Sequence, residues 1–237
     1  MRAPRSFTVA SYNIHRGRGL DGRLDLDRIA EVLGEIDADV IGVQEVFEPQ
    51  AEMLAHALGM RLAMGVTHGR LGAQYGNALL TRFDVQATRA FDLSRPRREP
   101  RGGIRVDVLV GEQVLHLFNV HFGLRLRERA EQVELLVRQH ILGDGMNGPR
   151  VLTGDLNEWF PGAVGRALRL EFHGPRIRRT HPAPFPLFPL DRIYWDHDLH
   201  GEGFHVHRSR LARMASDHLP VVASLRLAPR PHRPPGR

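Results

Sequence analysis

Two apolar segments separated by only three residues place the strongest constraint on the fold. Residues 102–122, "GGIRVDVLV-GEQ-VLHLFNVHF", have the pattern of two strands joined by a short antiparallel turn. Residues 38–46, "ADVIGVQEV", form a continuous apolar run that predicts a buried strand ending at Gln44 and Glu45. A chain that contains both an antiparallel strand pair and a buried, continuously apolar strand is expected to contain mixed sheets.

Helices alternate irregularly with these strands. Apolar residues at helical spacing predict helices over residues 24–36 and 125–142, and a further helix is expected over residues 50–58. Further strands are expected at "SFTVASYNI", "YGNALLTR", "RVLTGDL", "LDRIYW" and "LPVVASLRL". The pattern is neither a regular βαβ alternation nor all-β, and it favours mixed sheets packed together with helices outside.

No internal repeat and no Ser/Gly linker divides the chain. We therefore expect one domain over residues 1–227, followed by a disordered tail over residues 228–237 that is rich in Pro and Arg. The N-terminus has no apolar core of a secretory signal, and no apolar run approaches the ~20 residues that a membrane helix needs. These features predict a cytoplasmic protein without integral membrane association, and we expect a monomer.

The composition excludes several kinds of chemistry. The chain has no Cys, which rules out disulfides, thiolate metal sites and a thiol nucleophile. It has no Lys either, so all 33 basic residues are Arg and a Schiff-base mechanism is excluded. The formal net charge of +6 favours anionic partners such as nucleic acid, anionic lipid headgroups or phosphorylated small molecules. Genome composition explains the exclusive use of Arg at least as well.

Polar side chains interrupt or end many of the apolar strands, and strand ends converge on one edge of a sheet. Carboxylates and amide oxygens without cysteine suit a hard cation such as Mg²⁺ or Mn²⁺. Histidines beside acids suit proton transfer near neutral pH, and no activated Ser, Thr or Lys is evident. Water is then the attacking group, which suits hydrolysis of a phosphate ester. The residues are Asn13, Glu45, Asn77, His121, Asp155, Asn157, Asp191, Asp217 and His218.

Each of these side chains also has an ordinary structural explanation. The alternatives are a turn cap for Asn13, an exposed strand end for Glu45, an Asx-turn for Asp155 with Asn157, a half-buried strand histidine for His121 and a surface ion pair with Arg192 for Asp191. Single residues therefore do not identify a site, whereas their joint pattern is informative.

The joint pattern resembles the endonuclease/exonuclease/phosphatase superfamily. The motifs "YNIHRG", "VQEV", "YGNALLTR", "NVHFG", "TGDLNEW", "LDRIYW" and "SDHLPV" occur in this order between Tyr12 and about Leu225. The G-D-x-N and S-D-H elements are highly specific together with Q-E, and the likeness is strongest to small bacterial members without an assigned substrate. The resemblance implies a four-layer α/β sandwich, in which two mixed β-sheets pack face to face with helices on both outer faces.

The resemblance also implies how the polar side chains hold metal and substrate. Glu45, in the position of the family's Q-E glutamate, would bind the divalent metal. Asn13 would help at the metal and phosphate, and Asp217 would lie at or near the metal. Asn77, in "YGNALLTR", is assigned to substrate and phosphate binding. Arg101 is assigned to the same role because the place of its basic loop, "LSRPRREPRGG", in the family's chain is near the cleft.

The catalytic steps are implied in the same way. Asp155 would orient or deprotonate the attacking water, and Asn157 would hold the phosphate. His218 would contact phosphate oxygens, with Asp191 fixing its ring and keeping it cationic. His121 matches the histidine of the deoxyribonuclease I and sphingomyelinase branches, whereas abasic-site endonucleases usually have tyrosine there.

The sequence thus predicts a Mg²⁺- or Mn²⁺-dependent phosphoesterase, and its charge makes DNA or RNA the first substrate class. A phospholipid or phosphorylated small molecule is close behind, and a noncatalytic binding module on the same fold is the alternative of another class. The histidines between His197 and His207 suit Zn²⁺ or Ni²⁺, but a solvent-facing strand and loop is favoured. Trp159 and Phe160 suit a cleft lining and packing beneath the cleft equally well.

Overall fold

The computed structural model describes residues 6–70, 73–143 and 146–228; the predicted tail lies outside this part of the chain except for Ala228. Two β-sheets form its framework. The strands are β1 (Ser6–Asn13), β2 (Val40–Phe47), β3 (Arg61–Arg70), β4 (Ala73–Thr81), β5 (Asp84–Asp92), β6 (Gly102–Val110), β7 (Gln113–His121), β8 (Arg150–Asp155), β9 (Asp191–Trp195), β10 (Leu199–Val206) and β11 (Val221–Leu227). The helices are α1 (Leu26–Ile36), α2 (Glu48–Leu58), α3 (Leu126–Leu135), α4 (Ala163–Leu168) and α5 (Ala212–Ala215).

Both sheets are mixed, as the sequence predicts. The first has the strand order β10-β11-β1-β2-β4-β3, and the second has the order β5-β6-β7-β8-β9. Only β1 with β2 and β7 with β8 pair in parallel among the strand pairs that the structure describes. The predicted hairpin of β6 and β7 is present, with Val110 opposite Gln113 at its turn.

Three apolar layers separate four layers of secondary structure. The first layer lies between α1, α2, α5 and the first sheet, the second lies between the two sheets, and the third lies between the second sheet and α3 with α4. Strand β1 alternates between two of them: Val9 faces the other sheet, whereas Ala10 and Tyr12 face the helices. The structure is therefore the predicted four-layer α/β sandwich. No helix in its described residues has the length and apolar character that crossing a bilayer requires.

A buried polar network joins the two sheets directly beneath the edge where the candidate residues lie. Asn119 donates to the carbonyl oxygens of Val43 and Ala78 at 2.9 and 2.8 Å, and its own oxygen accepts from Gln44 at 2.6 Å. Thr153 donates to the same amide oxygen at 3.3 Å. The network satisfies polar groups that the intersheet layer would otherwise leave unpaired.

We expect Asn119→Ala to lower the free energy of unfolding by about 2–4 kcal/mol. The substitution leaves several buried polar groups without a hydrogen-bond partner, and each such group costs ~1–3 kcal/mol. Urea unfolding at constant slope measures the loss. Gln86→Ala removes an exposed amide on β5 and serves as the control. A loss below about 0.5 kcal/mol in Asn119→Ala, the size typical of a surface substitution, would contradict a structural role for the network.

Several elements differ from their predicted form. β2 continues past Glu45 to Phe47, because a bulge between Val43 and Val46 lets the strand resume pairing with β4. The third predicted helix changes after Leu135 into a π-helical segment, Leu136–Ile141. β3 and β5 were not predicted: β5 is an edge strand with mostly exposed side chains, so it has no apolar periodicity.

Candidate active site

The topology brings five strand ends to one edge of the sandwich. The parallel strands β1 and β2 end near Asn13 and Glu45, and the parallel strands β7 and β8 end at His121 and Asp155. β9 runs the other way and begins at Asp191, directly opposite Asp155. Residues far apart in the chain therefore meet at one place because parallel strands end at the same side of their sheets.

The carboxylate of Asp155 is the centre of the cluster. It is buried, and its Oδ2 accepts a hydrogen bond from Asn13 Nδ2 at 3.0 Å, while its Oδ1 accepts from the Asn157 backbone N–H at 2.9 Å. Two imidazoles approach the same Oδ2: His121 Nε2 at 3.6 Å and His218 Nε2 at 3.8 Å. An acid between two imidazoles and two amides is equipped to accept a proton and orient a small polar molecule.

Asn157 and His121 are held against each other. The side-chain amide of Asn157 donates to the Phe122 carbonyl oxygen at 2.9 Å and lies 3.2 Å from His121 Nε2. Burial, reinforced by the positive charge of Arg101, lowers the pKa of His121 to about 3. His121 is therefore neutral at pH 7, so its Nε2 is free to accept from Asn157. The Asn157 amide protons are engaged in positioning His121, and a role in holding phosphate remains a prediction.

Asn13 connects the carboxylate of Glu45 in the first sheet with that of Asp155 in the second sheet. Its Nδ2 donates to Glu45 Oε1 at 3.3 Å as well as to Asp155, and its Oδ1 accepts from the His15 backbone N–H at 3.0 Å. Glu45 has a left-handed backbone, with φ of 54°, at the bulge in β2. Such a conformation is unusual for a glutamate, and the bulge turns its partly exposed carboxylate towards Asn13.

Asp191 and His218 form a buried ion pair. Asp191 Oδ2 lies 2.9 Å from His218 Nδ1, and both side chains are buried. Burial alone would lower the pKa of His218, but the carboxylates of Asp191 and Asp155 outweigh it and raise the pKa to about 10. The imidazole is therefore cationic at pH 7, with Nδ1 engaged and Nε2 directed towards Asp155.

Asp217 lies on the other side of His218, next to two histidines that the sequence analysis did not assign. Asp217 Oδ1 is 3.7 Å from His15 Nδ1, and its Oδ2 is 3.8 Å from His181 Nε2. Burial opposes ionisation of Asp217, but its hydrogen bond with His181 and the charges of His218 and His15 hold its pKa well below the usual range. Ser216 anchors this segment by donating to the Asn13 carbonyl oxygen at 2.8 Å.

Asn77 and Arg101 lie beside this cluster. Asn77 donates to the Gly102 carbonyl oxygen at 2.9 Å, which fixes the backbone next to Arg101. The Arg101 guanidinium is buried, pairs with Glu99 at 3.0 Å and has no hydrogen-bond partner at Nε. A buried cation with an unused donor suits an anionic ligand.

The turns proposed as structural explanations for Asp155 with Asn157 and for Asn13 are present in the structure, and they are compatible with the cluster. The hydrogen bonds from Asn157 N–H to Asp155 and from His15 N–H to Asn13 are those of Asx-turns. Asp191 does not form the alternative surface ion pair with Arg192, because both residues are buried and Asp191 pairs with His218. The same turns that end β8 and β1 thus hold their acid and amide side chains in place.

Histidines at the other suspected metal site do not converge. β10 is an edge strand on which His200 and His205 are exposed, and His207 Nε2 lies 2.6 Å from Glu35. Within the described ranges, the groups close enough to share an ion are His181 with Asp217 and His218, and Asp155 with Asp191 and His218. The strand-and-loop interpretation of this segment agrees with the structure.

Comparison with known proteins gives consistent results. The uncharacterized protein YbhP of Escherichia coli (strain K12) is 29% identical over 249 residues, which cover 94% of this chain and 97% of that protein. A solved endonuclease/exonuclease/phosphatase family protein of Bacteroides thetaiotaomicron has a TM-score of 0.81 at 23% identity and covers 98% of this chain and 99% of its own. The mannosyl-6-phosphatase Bt3783 of Bacteroides thetaiotaomicron VPI-5482 has a TM-score of 0.79 at 23% identity, with coverages of 92% and 99%. The model of the endonuclease/exonuclease/phosphatase family matches residues 10–218, and the chain therefore belongs to this family.

Proposed function

We propose that the protein is a divalent-metal-dependent phosphoesterase that hydrolyses its substrate by attack of water. The observation that carries the proposal is the buried Asp155 carboxylate, placed between the amide of Asn13 and the imidazoles of His121 and His218. The name of the family joins nucleases with phosphatases, both of which hydrolyse phosphoesters. A noncatalytic descendant of this fold has no physical need for the whole cluster.

The donor atoms at this edge fit a hard cation. Glu45 and Asp217 offer carboxylate oxygens and Asn13 an amide oxygen. In the neighbouring group of Asp155, Asp191 and His218, Asp191 Oδ1 is buried without a hydrogen-bond partner. Glu45 would hold Mg²⁺ or Mn²⁺, with Asn13 and Asp217 beside it. The ion would supply Lewis-acid stabilisation of the charge that develops on the phosphoryl oxygens.

The chain's own residues divide the remaining work between proton transfer and charge stabilisation. Asp155 accepts the proton of the attacking water and, through its bonds to Asn13 and Asn157, keeps a fixed orientation. His218 donates from Nε2 to a phosphoryl oxygen as negative charge grows there, because Asp191 holds Nδ1. The unused donor of Arg101 offers a second contact for phosphate.

Two substrate classes are supported by different observations. Net charge puts nucleic acid first, whereas the similarity to a mannosyl-6-phosphatase favours a small phosphomonoester as a second candidate. Rates on bis-p-nitrophenyl phosphate and p-nitrophenyl phosphate, with Mg²⁺ or Mn²⁺ and with EDTA, separate diesterase from monoesterase. A protein that hydrolyses neither, but binds phosphorylated ligands, would be the binding module instead.

We expect Glu45→Gln to raise the Mg²⁺ concentration for half-maximal activity by more than about tenfold, because it removes the charge of the main ligand and keeps its shape. Titration of the rate with Mg²⁺ gives this value. Glu52→Gln, on the exposed side of α2, is the matched control. An unchanged rate and Mg²⁺ dependence in Glu45→Gln would remove Glu45 from the metal site.

A further inference from the structure

Six exposed apolar side chains leave the same edge of the second sheet as the catalytic cluster. Phe160 and Phe185 are the most exposed aromatic residues among them, at 71% and 80%. Exposed apolar side chains are ordinary when scattered, but a group of them beside one site is not. We call this group the apolar lip; its members are Leu124, Leu126, Trp159, Phe160, Phe185 and Leu187.

The lip lies at the same edge of the sheet as the site. Its three segments follow β7 and β8 and precede β9, which are the strands that end or begin at His121, Asp155 and Asp191. Parallel β7 and β8 end at the same edge, and β9 starts there, so all three segments leave from it. One segment is the loop of residues 180–188.

That loop connects the lip to the catalytic histidine. At its base the His181 ring lies 4.8 Å from the His218 ring, and Leu187 N–H donates to the His181 carbonyl oxygen at 2.8 Å. Phe188 packs on Trp159, with ring centroids 4.8 Å apart, which joins this loop to the segment after β8. The exposed tip therefore projects from a base that is fixed at the site.

Positive charge predominates next to the lip. Residues 124–127 and 159–160, and the loop of residues 180–188 with the two residues before it, contain no Asp or Glu. They contain four exposed arginines, Arg125, Arg127, Arg178 and Arg179, of which Arg127 also pairs with Glu131 on α3 at 3.3 Å. Aromatic and leucine side chains next to arginines are the composition of a surface that inserts shallowly into an anionic bilayer.

We propose that the apolar lip docks on an anionic phospholipid bilayer and presents the site to a lipid headgroup phosphate. The second half of this statement rests on the proposed phosphoesterase activity, whereas docking does not. Net charge alone made nucleic acid the first substrate class, but charge does not explain apolar side chains in water around the site. A bilayer accounts for both features.

Trp159 provides a built-in probe of docking. The chain has two tryptophans, and Trp195 is only 9% exposed whereas Trp159 is 47% exposed. We expect the tryptophan emission to shift to shorter wavelength with vesicles of phosphatidylcholine and phosphatidylglycerol, and much less with phosphatidylcholine alone. Arg178→Ala with Arg179→Ala should weaken binding on the order of tenfold.

Phe185→Ser with Leu187→Ser should weaken vesicle binding at least about tenfold while Trp159 remains as the reporter. Leu109→Ser, at the far end of β6 and also exposed, is the control and should bind normally. Normal binding by the lip variant, or equal binding to neutral vesicles, would overturn the proposal. So would an emission change with a single-stranded oligonucleotide and none with vesicles.

The binding assay needs neither metal nor turnover, so its result is independent of the proposed function. Vesicle binding without hydrolysis of any phosphoester would remove the phosphoesterase activity and keep the docking surface. Hydrolysis of bis-p-nitrophenyl phosphate without vesicle binding would remove the docking surface and keep the phosphoesterase activity.

Discussion

Asp155→Asn is expected to reduce kcat on the order of 10²–10⁴-fold, the range that a positioned general base contributes. Asparagine keeps the size of the side chain but cannot accept the proton of the attacking water. Neither the amides of Asn13 and Asn157 nor the imidazoles of His121 and His218 can replace it, because His218 is already protonated and the others are weak bases. The rate on bis-p-nitrophenyl phosphate at saturating Mg²⁺ measures the loss.

The substitution also changes two hydrogen bonds, because both oxygens of Asp155 accept from N–H groups. Thermal unfolding must therefore accompany the kinetics, so that a folding defect is recognised. Asp107→Asn is a suitable comparison: this acid also pairs with a histidine, His116 at 2.7 Å, but at the opposite end of β7. A folded Asp155→Asn protein with more than about a tenth of the parent rate would exclude Asp155 as the base.

His218→Ala is expected to cost ~10²–10³ in kcat, as does the loss of other preorganised donors to a developing oxyanion. Asp191→Asn should lose much of the rate as well, because it no longer holds Nδ1 or favours the imidazolium. Since the two residues act as a unit, the double variant should be little slower than His218→Ala. Losses that multiply in the double variant would give Asp191 a separate role.

The pH dependence distinguishes this role from simple packing. The pKa of His218 is raised to about 10 against an ordinary value of 6.5, so the parent protein should not lose activity through this group between pH 7 and 9. In Asp191→Asn the alkaline limb of the rate profile should move to lower pH. In the protein without metal, the pair stabilises the fold fully below pH 6.5, and its contribution is lost as the pH rises through 10. A profile identical in both proteins would contradict the ion pair.

Sequence patterns predicted most of the architecture because burial leaves a periodic trace. The alternation in β1 and the apolar run of β2 reflect which faces pack between layers. The edge strand β5 left no such trace, since its side chains are mostly in water. β10 was predicted only in outline, as part of a solvent-facing strand and loop over the histidines between His197 and His207.

The site was predicted unevenly, for a physical reason. Asp155 and Asp191 stand at ends of apolar strands, so local pattern and family resemblance both point to them. His15 and His181 follow no strand pattern of their own, and they approach Asp217 only through the tertiary fold. The unpaired Nε of the buried Arg101 likewise depends on packing from several segments, and sequence spacing carries no record of it.

The pairing of the first and last strands has a practical consequence for measuring orientation. Ser6 pairs with Arg226, whereas Asn13, at the other end of β1, and His218, just before β11, lie at the edge that carries the candidate site. An eight-residue strand such as β1 spans roughly 23 Å. A fluorescent dye attached at Ser6 or just beyond Leu227 is therefore a ruler: energy transfer to a dye in the bilayer reports which end of the sandwich faces the lipid.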